Sequence, residues 1–159
     1  CGLASRDSTR TEAGLPLYGH ELGGAHEFTP GDAGFSGYAK LWKPFFIGKA
    51  AYVEREAKRD AVITRFRIDS KGVRPPHAGT PLLDRRGRVV GLVTSCSIDT
   101  EGFQTGQAYL KEEFAAEGTP VLVASLGRDG KAPDEFKLGD KLPVPDTATV
   151  LSRFPARKK

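Results

Sequence analysis

The chain has 159 residues, 38% of them hydrophobic and 28% charged, with a formal charge of +4; this fits one ordinary domain, or a small domain plus part of another, of globular composition. No run approaches the roughly 20 apolar residues of a membrane-spanning helix, and the opening CGLASRDSTR lacks the apolar core of a secretory signal. Cys1 and Cys96 stand far apart with no Cys/His cluster around them, which argues against a disulfide framework or a zinc site and points to a reducing, cytoplasmic setting.

The excess of Lys and Arg is dispersed except in the tail RFPARKK, so no nucleic-acid-binding stripe and no membrane-binding segment is expected. His20, His26 and His77 are not at metal-ligand spacing and read as surface or hydrogen-bonded structural histidines. The chain begins at Cys1 and contains no methionine, the pattern of a piece of a longer protein, a processed product or a split subunit.

In chain order, LASRDSTRTEAG reads as a helix with Ser5 as N-cap, Asp7 in its positive first turn, and Gly14 and Pro16 ending it. Glu12 falls in the last turn, where the negative end of the helix dipole disfavours an acid by a few tenths to about 1 kcal/mol. Turns and short extended pieces follow through LPLYGHELGGAHEFTPGDAGFSGY, and FIGKAAYVEREAKRD reads as a short surface helix starting after Gly48.

Near residue 60 the periodicity changes. DAVITRFRID alternates Val62, Thr64, Phe66 and Ile68 against Ile63, Arg65 and Arg67, the period of a half-buried strand. TPLLDRRGRVVGLVTSCS reads as a hairpin turning at DRRG, with Gly91 marking a bulge or sharp bend. GQAYL and PVLVASL are further strands joined through a turn at 117–119; a long polar loop, GRDGKAPDEFKLGDKLPVPDTA, leads to a closing strand at TATVLSRF. Short strands at hairpin spacing, without a helix to cross between parallel ones, indicate a small antiparallel barrel or sandwich.

No GxSxG, GxGxxG, P-loop, HExxH or EF-hand pattern is present. The blocks LASRDSTRTEAGLPLYGHEL, TPGDAGF, FIGKAA and GRVVGLVTS resemble, in this order, those of the aminomethyltransferase of the glycine cleavage system (T-protein) and its folate-dependent relatives, over roughly residues 2–125. The resemblance implies an α+β, mostly β chain: the end of a ferredoxin-like α/β folate-binding region at 1–57, a C-terminal antiparallel β-barrel at 58–152, and a basic tail at 153–159. It implies tetrahydrofolate as cofactor and one-carbon transfer from a small donor, free or on a carrier protein. The family's catalytic aspartate lies upstream of the matched blocks, so this chain is expected to hold no catalytic residue and to need its missing N-terminal half, from the same protein or a partner chain.

By the same resemblance, Glu12 is the acid that holds the pterin N–H edge; spacing alone favours a solvated helix residue pairing with Ser8. Lys43 matches a basic position that meets an anionic ligand tail, or is a surface lysine. Tyr38 and the adjacent Trp42 stack on a flat ligand or pack between regions. Arg74 lies in the stiff loop KGVRPPHAG, where an arginine commonly occurs, although loop rigidity alone explains that stretch. Three departures from the pattern also suit a divergent paralogue such as a folate-dependent demethylase: GFSGY replaces a tryptophan-bearing block, GHELGGAHEFTP is about two residues long, and VTSC stands for VTSG. A non-catalytic barrel module docking a partner chain is the remaining alternative.

Overall fold

The computed structural model describes residues 2–124 and 145–155. Among them are two α-helices, α1 (Leu3–Glu12) and α2 (Lys49–Lys58), and the strands β1 (Ala61–Lys71), β2 (Pro81–Leu83), β3 (Val89–Ile98), β4 (Phe103–Lys111), β5 (Pro120–Val123) and β6 (Asp146–Leu151). The strands close into an antiparallel barrel in the order β1-β4-β3-β2-β5-β6. Closure leaves no edge strand exposed among these elements, which removes the usual template for edge-to-edge association.

Inward-facing residues at alternate positions build the barrel core, with Phe66, Ile68, Leu82, Val93, Leu110, Val121, Val123 and Val150 at its centre. Burying each such side chain contributes about 1.5–3 kcal/mol. Between Phe66 and Cys96, its cross-strand neighbours, Gly106 leaves room for the Phe66 ring. A Cβ at position 106 would lie 2.5 Å from that ring and 2.6 Å from the Ser95 carbonyl oxygen.

The DRRG turn forms as expected. The Asp84 Oδ1 accepts the backbone N–H groups of Arg86 and Arg88, at 2.8 and 2.9 Å, and its Oδ2 accepts Arg88 Nε at 2.7 Å. The bulge falls at Val90, since Gly91 opposes Leu82 while Val89 opposes Leu83. Gly91 itself is required by close approach, because a side chain there would strike the Tyr109 carbonyl and the Leu110 side chain.

Several local expectations need correction. Helix α1 starts at Leu3 with Gly2 as N-cap and no side-chain cap, so Ser5 lies inside the helix, where its carbonyl accepts the Thr9 hydroxyl. Strands β4 and β5 do not pair; β5 sits between β2 and β6, so the segment after β4 crosses the barrel end through a single 3-10 turn at Glu112–Phe114. Strand β1 is buried on both faces over 63–66, not one, because residues 2–57 cover its outer face. The Ile63 N–H, for example, donates to the Asp32 carbonyl at 2.7 Å. Most of the polar loop expected before the closing strand lies outside the described residues.

Substituting Gly106→Ala forces a methyl against both a ring and a backbone oxygen. The expected cost is about 1–3 kcal/mol of unfolding free energy, read as a lower urea midpoint at unchanged slope; an unchanged midpoint would show that β4 does not approach its neighbours this closely.

Candidate functional site

Helix α1 ends in a left-handed glycine cap. Gly14 has φ +73°, its N–H donates to the Thr11 carbonyl at 3.1 Å, and the Leu15 N–H reaches the Arg10 carbonyl at 2.8 Å. These two bonds are the paired closure that a C-terminal glycine permits. They fix Glu12 as the last helical residue and turn the chain sharply into LPLYGHEL.

That turn delivers Glu21 into the protein interior, where it is 0% exposed. Its Oε2 accepts Arg10 Nη1 at 2.7 Å and the Leu17 N–H at 3.0 Å. Its Oε1 accepts the hydroxyls of Thr94 at 2.8 Å and Ser95 at 2.6 Å. Four donors thus converge on one carboxylate, three neutral and one guanidinium, which is the pairing a buried charge demands. The group ties α1, the following loop and β3 together. Asp7 holds the other side of Arg10 through Nε at 2.7 Å, while Arg10 Nη2 is buried without a hydrogen-bond partner among the described residues.

A second polar knot sits beside it. Arg153 donates to the Gly14 carbonyl at 2.6 Å, to the Ala33 carbonyl through Nε at 3.0 Å and Nη2 at 2.9 Å, and to Gln107 Oε1 at 3.1 Å. Gln107 is fully buried and turns its Nε2 to the Leu15 carbonyl at 2.8 Å. Burial pulls the Arg153 guanidinium down to about 10, so it stays charged at neutral pH. The residue read as the start of a basic tail is therefore an inward clamp on the α1 terminus.

Glu12 stands at the edge of this knot. Its Oε1 accepts the Thr100 hydroxyl at 2.8 Å, and not that of Ser8; its other oxygen has no hydrogen-bond partner among the described residues. Thr100 is held in place by Asp99, which accepts the N–H groups of Glu101 and Phe103 and the Thr105 hydroxyl. Burial pushes the Asp99 carboxyl up, but those hydrogen bonds outweigh it and hold it below the ordinary value. Arg65, 6% exposed, lies close enough to Glu12 to feel its charge: burial lowers the Arg65 pKa and Glu12 opposes that shift. A neighbouring guanidinium thus offsets the unfavourable dipole end on which Glu12 sits.

Of the other expected site residues, only Tyr38 joins this cluster. Its ring meets Phe35 at 5.7 Å, Phe35 meets Phe154 at 5.3 Å, and the Arg153 guanidinium lies 4.6 Å from the Phe154 centroid. Tyr38 and Trp42 are each 78% exposed. Lys43 is exposed, its carbonyl accepting Lys49 Nζ at 2.6 Å, and Arg74 is exposed in the loop between β1 and β2. No hydrogen bond, ion pair or ring contact among the described residues joins Glu12 to Tyr38, Lys43 or Arg74. Sequence reasoning missed Glu21, Arg65, Gln107 and Arg153. Only the odd placement of an acid in a Gly/Leu-rich turn pointed toward Glu21; its partner Thr94 is 73 residues away.

No group of three or more His, Cys, Asp or Glu able to hold a metal occurs among the described residues. No described helix is long and apolar enough to cross a membrane.

No protein-family model matches the chain. It is 33% identical over 128 residues to an aminomethyltransferase of Chloroherpeton thalassium, covering 80% of this chain and 34% of that protein. It is 40% identical over 123 residues to an aminomethyltransferase of Streptomyces avermitilis, covering 75% and 32% respectively. The fold matches the crystal structure of glycine cleavage system aminomethyltransferase T from Bartonella henselae with TM-score 0.72 and 27% identity, over 95% of this chain and 38% of that one. The chain therefore spans about one third of the length of the curated relatives it matches.

Replacing Glu21→Ala removes the buried counter-ion of Arg10, leaves it only the half-exposed Asp7, and strips the Thr94 and Ser95 hydroxyls of their acceptor, a change that costs about 3–5 kcal/mol. Urea unfolding of the variant is expected to show that loss; a cost below about 1 kcal/mol would mean that water or another group satisfies Arg10.

Proposed function

Because this chain belongs to the glycine cleavage T-protein (aminomethyltransferase) family, matching its C-terminal portion, we propose that it forms part of a tetrahydrofolate-dependent aminomethyltransferase or methyltransferase. The reaction would pass a one-carbon unit from an N-methylene or methyl donor to tetrahydrofolate. The observation that carries this reading is the condition of Glu12: anchored by Thr100 through one oxygen, faced by the Arg65 charge, and left with a second oxygen that no described residue occupies. A carboxylate so held can accept N–H donors from a flat heterocycle, and an ionised acceptor makes such bonds roughly twice as strong as neutral ones.

The residues present fit tetrahydrofolate in chemical type. Glu12 would hold the pterin edge, the exposed Tyr38 ring would stack on a planar portion, Lys43 would meet an anionic tail, and Arg74 would stand at the pocket rim. Bound tetrahydrofolate would supply the nitrogen that accepts the one-carbon unit. The role of this chain is to bind and orient, which lowers the entropic part of the barrier; no catalytic residue is assigned to it.

We place the folate-binding α/β portion at 1–57 and the barrel at 58–152. The first portion leaves Leu3, Tyr18, Tyr38, Trp42, Phe45 and Ile47 each at least 77% exposed. Apolar surface of that extent supports docking of the remaining two thirds of the protein, in the same chain or a partner. The free Cys96 thiol, which burial pushes up to about 12, suits a cytoplasmic setting. A second reading, a folate-dependent demethylase paralogue, is favoured by GFSGY and VTSC at positions where the family pattern differs.

In the assembled protein, Glu12→Ala is expected to weaken tetrahydrofolate binding by about 1–3 kcal/mol in calorimetric titration while leaving the far-ultraviolet circular dichroism intact. Wild-type affinity in that variant would contradict the assignment.

A further inference from the structure

A groove of about 410 Å³ opens between the 19–28 loop, Arg55 of α2, the Ala78–Gly79 turn and strands β3 and β4. None of Glu12, Tyr38, Lys43 or Arg74 lines it. Its size falls in the range of small-molecule sites, and its walls combine apolar surface with a few converging polar groups, the usual composition of such sites.

One wall is a run of rings. His26 stacks on Phe28 with centroids 5.2 Å apart and planes at 27°, and Phe28 meets Tyr109 at 4.7 Å and 45°. A flat aromatic ligand against this wall would continue an arrangement the protein already makes. Leu92 and Ala78 supply apolar surface elsewhere in the groove.

The polar groups specify the rest. Arg55 is fixed by Glu27 Oε2, 2.9 Å from Nη1, and by the His26 carbonyl, 3.4 Å from Nη2. Those two bonds use only part of a fork with five N–H donors. Glu27 takes the left-handed φ of +52°, unusual for a residue with a side chain, and the loop that bears it is closed by reciprocal bonds between Gly23 and Phe28. His20 Nδ1 lies 3.4 Å from the Thr94 carbonyl. A carbonyl only accepts, so Nδ1 carries the hydrogen, and in the neutral ring Nε2 is left as an acceptor.

We propose that this groove binds a planar aromatic carboxylate, its ring against His26 and Tyr109, which flank the buried Phe28, and its carboxylate on Arg55. The His20 acceptor suits a ring hydroxyl or N–H on such a ligand.

The test is a titration of the nitrogen-15-labelled full chain with 2-naphthoate and, separately, its neutral counterpart 2-naphthamide, followed by amide shifts of Gly79, Leu92 and Val93. The carboxylate is expected to bind at least about tenfold more tightly than the amide, the difference that a lost charge-assisted hydrogen bond produces. Arg55→Gln should abolish that preference. Ala78→Trp, at an exposed position, should fill the groove and remove saturable binding of both compounds, while Glu12→Ala should change neither. The proposal is overturned by equal affinities for the two compounds, by a preference that survives Arg55→Gln, or by no saturable shifts at these amides. The Glu12→Ala control separates this outcome from the fate of the folate reading.

Discussion

A carboxylate sealed from water carries an electrostatic cost that only complete pairing offsets, and Glu21 meets that condition with four donors from three separate stretches of chain. The donors dictate geometry as much as they supply energy. Arg10 must present its guanidinium from α1, Leu17 its N–H from the turn after the helix, and Thr94 and Ser95 their hydroxyls from β3. Loosening any one leaves a charge or a polar group buried and unsatisfied, so helix, turn and strand hold their positions jointly. An apolar side chain at 21 could fill the space but could not impose this register.

The consequence reaches the surface two residues beyond Arg10. With the helix bolted to β3 through Arg10, and its glycine cap clamped by Arg153 through the Gly14 carbonyl, Glu12 has little freedom of place. Its neighbours then set its electrostatics. The Arg65 charge compensates the helix-dipole penalty, and the Thr100 hydroxyl, itself seated by Asp99, occupies one oxygen. The oxygen that no described residue occupies is the one the proposed ligand would engage. Buried pairing, helix termination and an open carboxylate form one chain of cause, with the barrel as its rigid base.

Much of the barrel could be read from the sequence because period-two alternation and the DRRG turn are local signals. The same locality explains the errors. Burial of Arg65 and Ile63 could not be foreseen from β1 alone, since the cover comes from residues 2–57. The turn between β4 and β5 is legible in the sequence, but which strands β5 pairs with is not, and it finds its partners in β2 and β6. At the site, family-like blocks directed attention to Glu12, while the residues that fix it lay in unremarkable surroundings: Glu21 in a glycine-rich turn, Gln107 in a strand, Arg153 in what resembled a solvated basic tail. Each acquires its meaning from a partner far away in sequence, which spacing within a motif cannot encode.

Amide hydrogen exchange in Glu21→Gln tests most directly whether the buried carboxylate fixes the end of α1. This substitution keeps the side-chain shape and removes the charge. The account predicts that the Ala13, Gly14 and Leu15 amides lose protection by at least about tenfold while β1 and β4 amides retain theirs, the signature of local rather than global opening. Unchanged protection at the α1 terminus would contradict it.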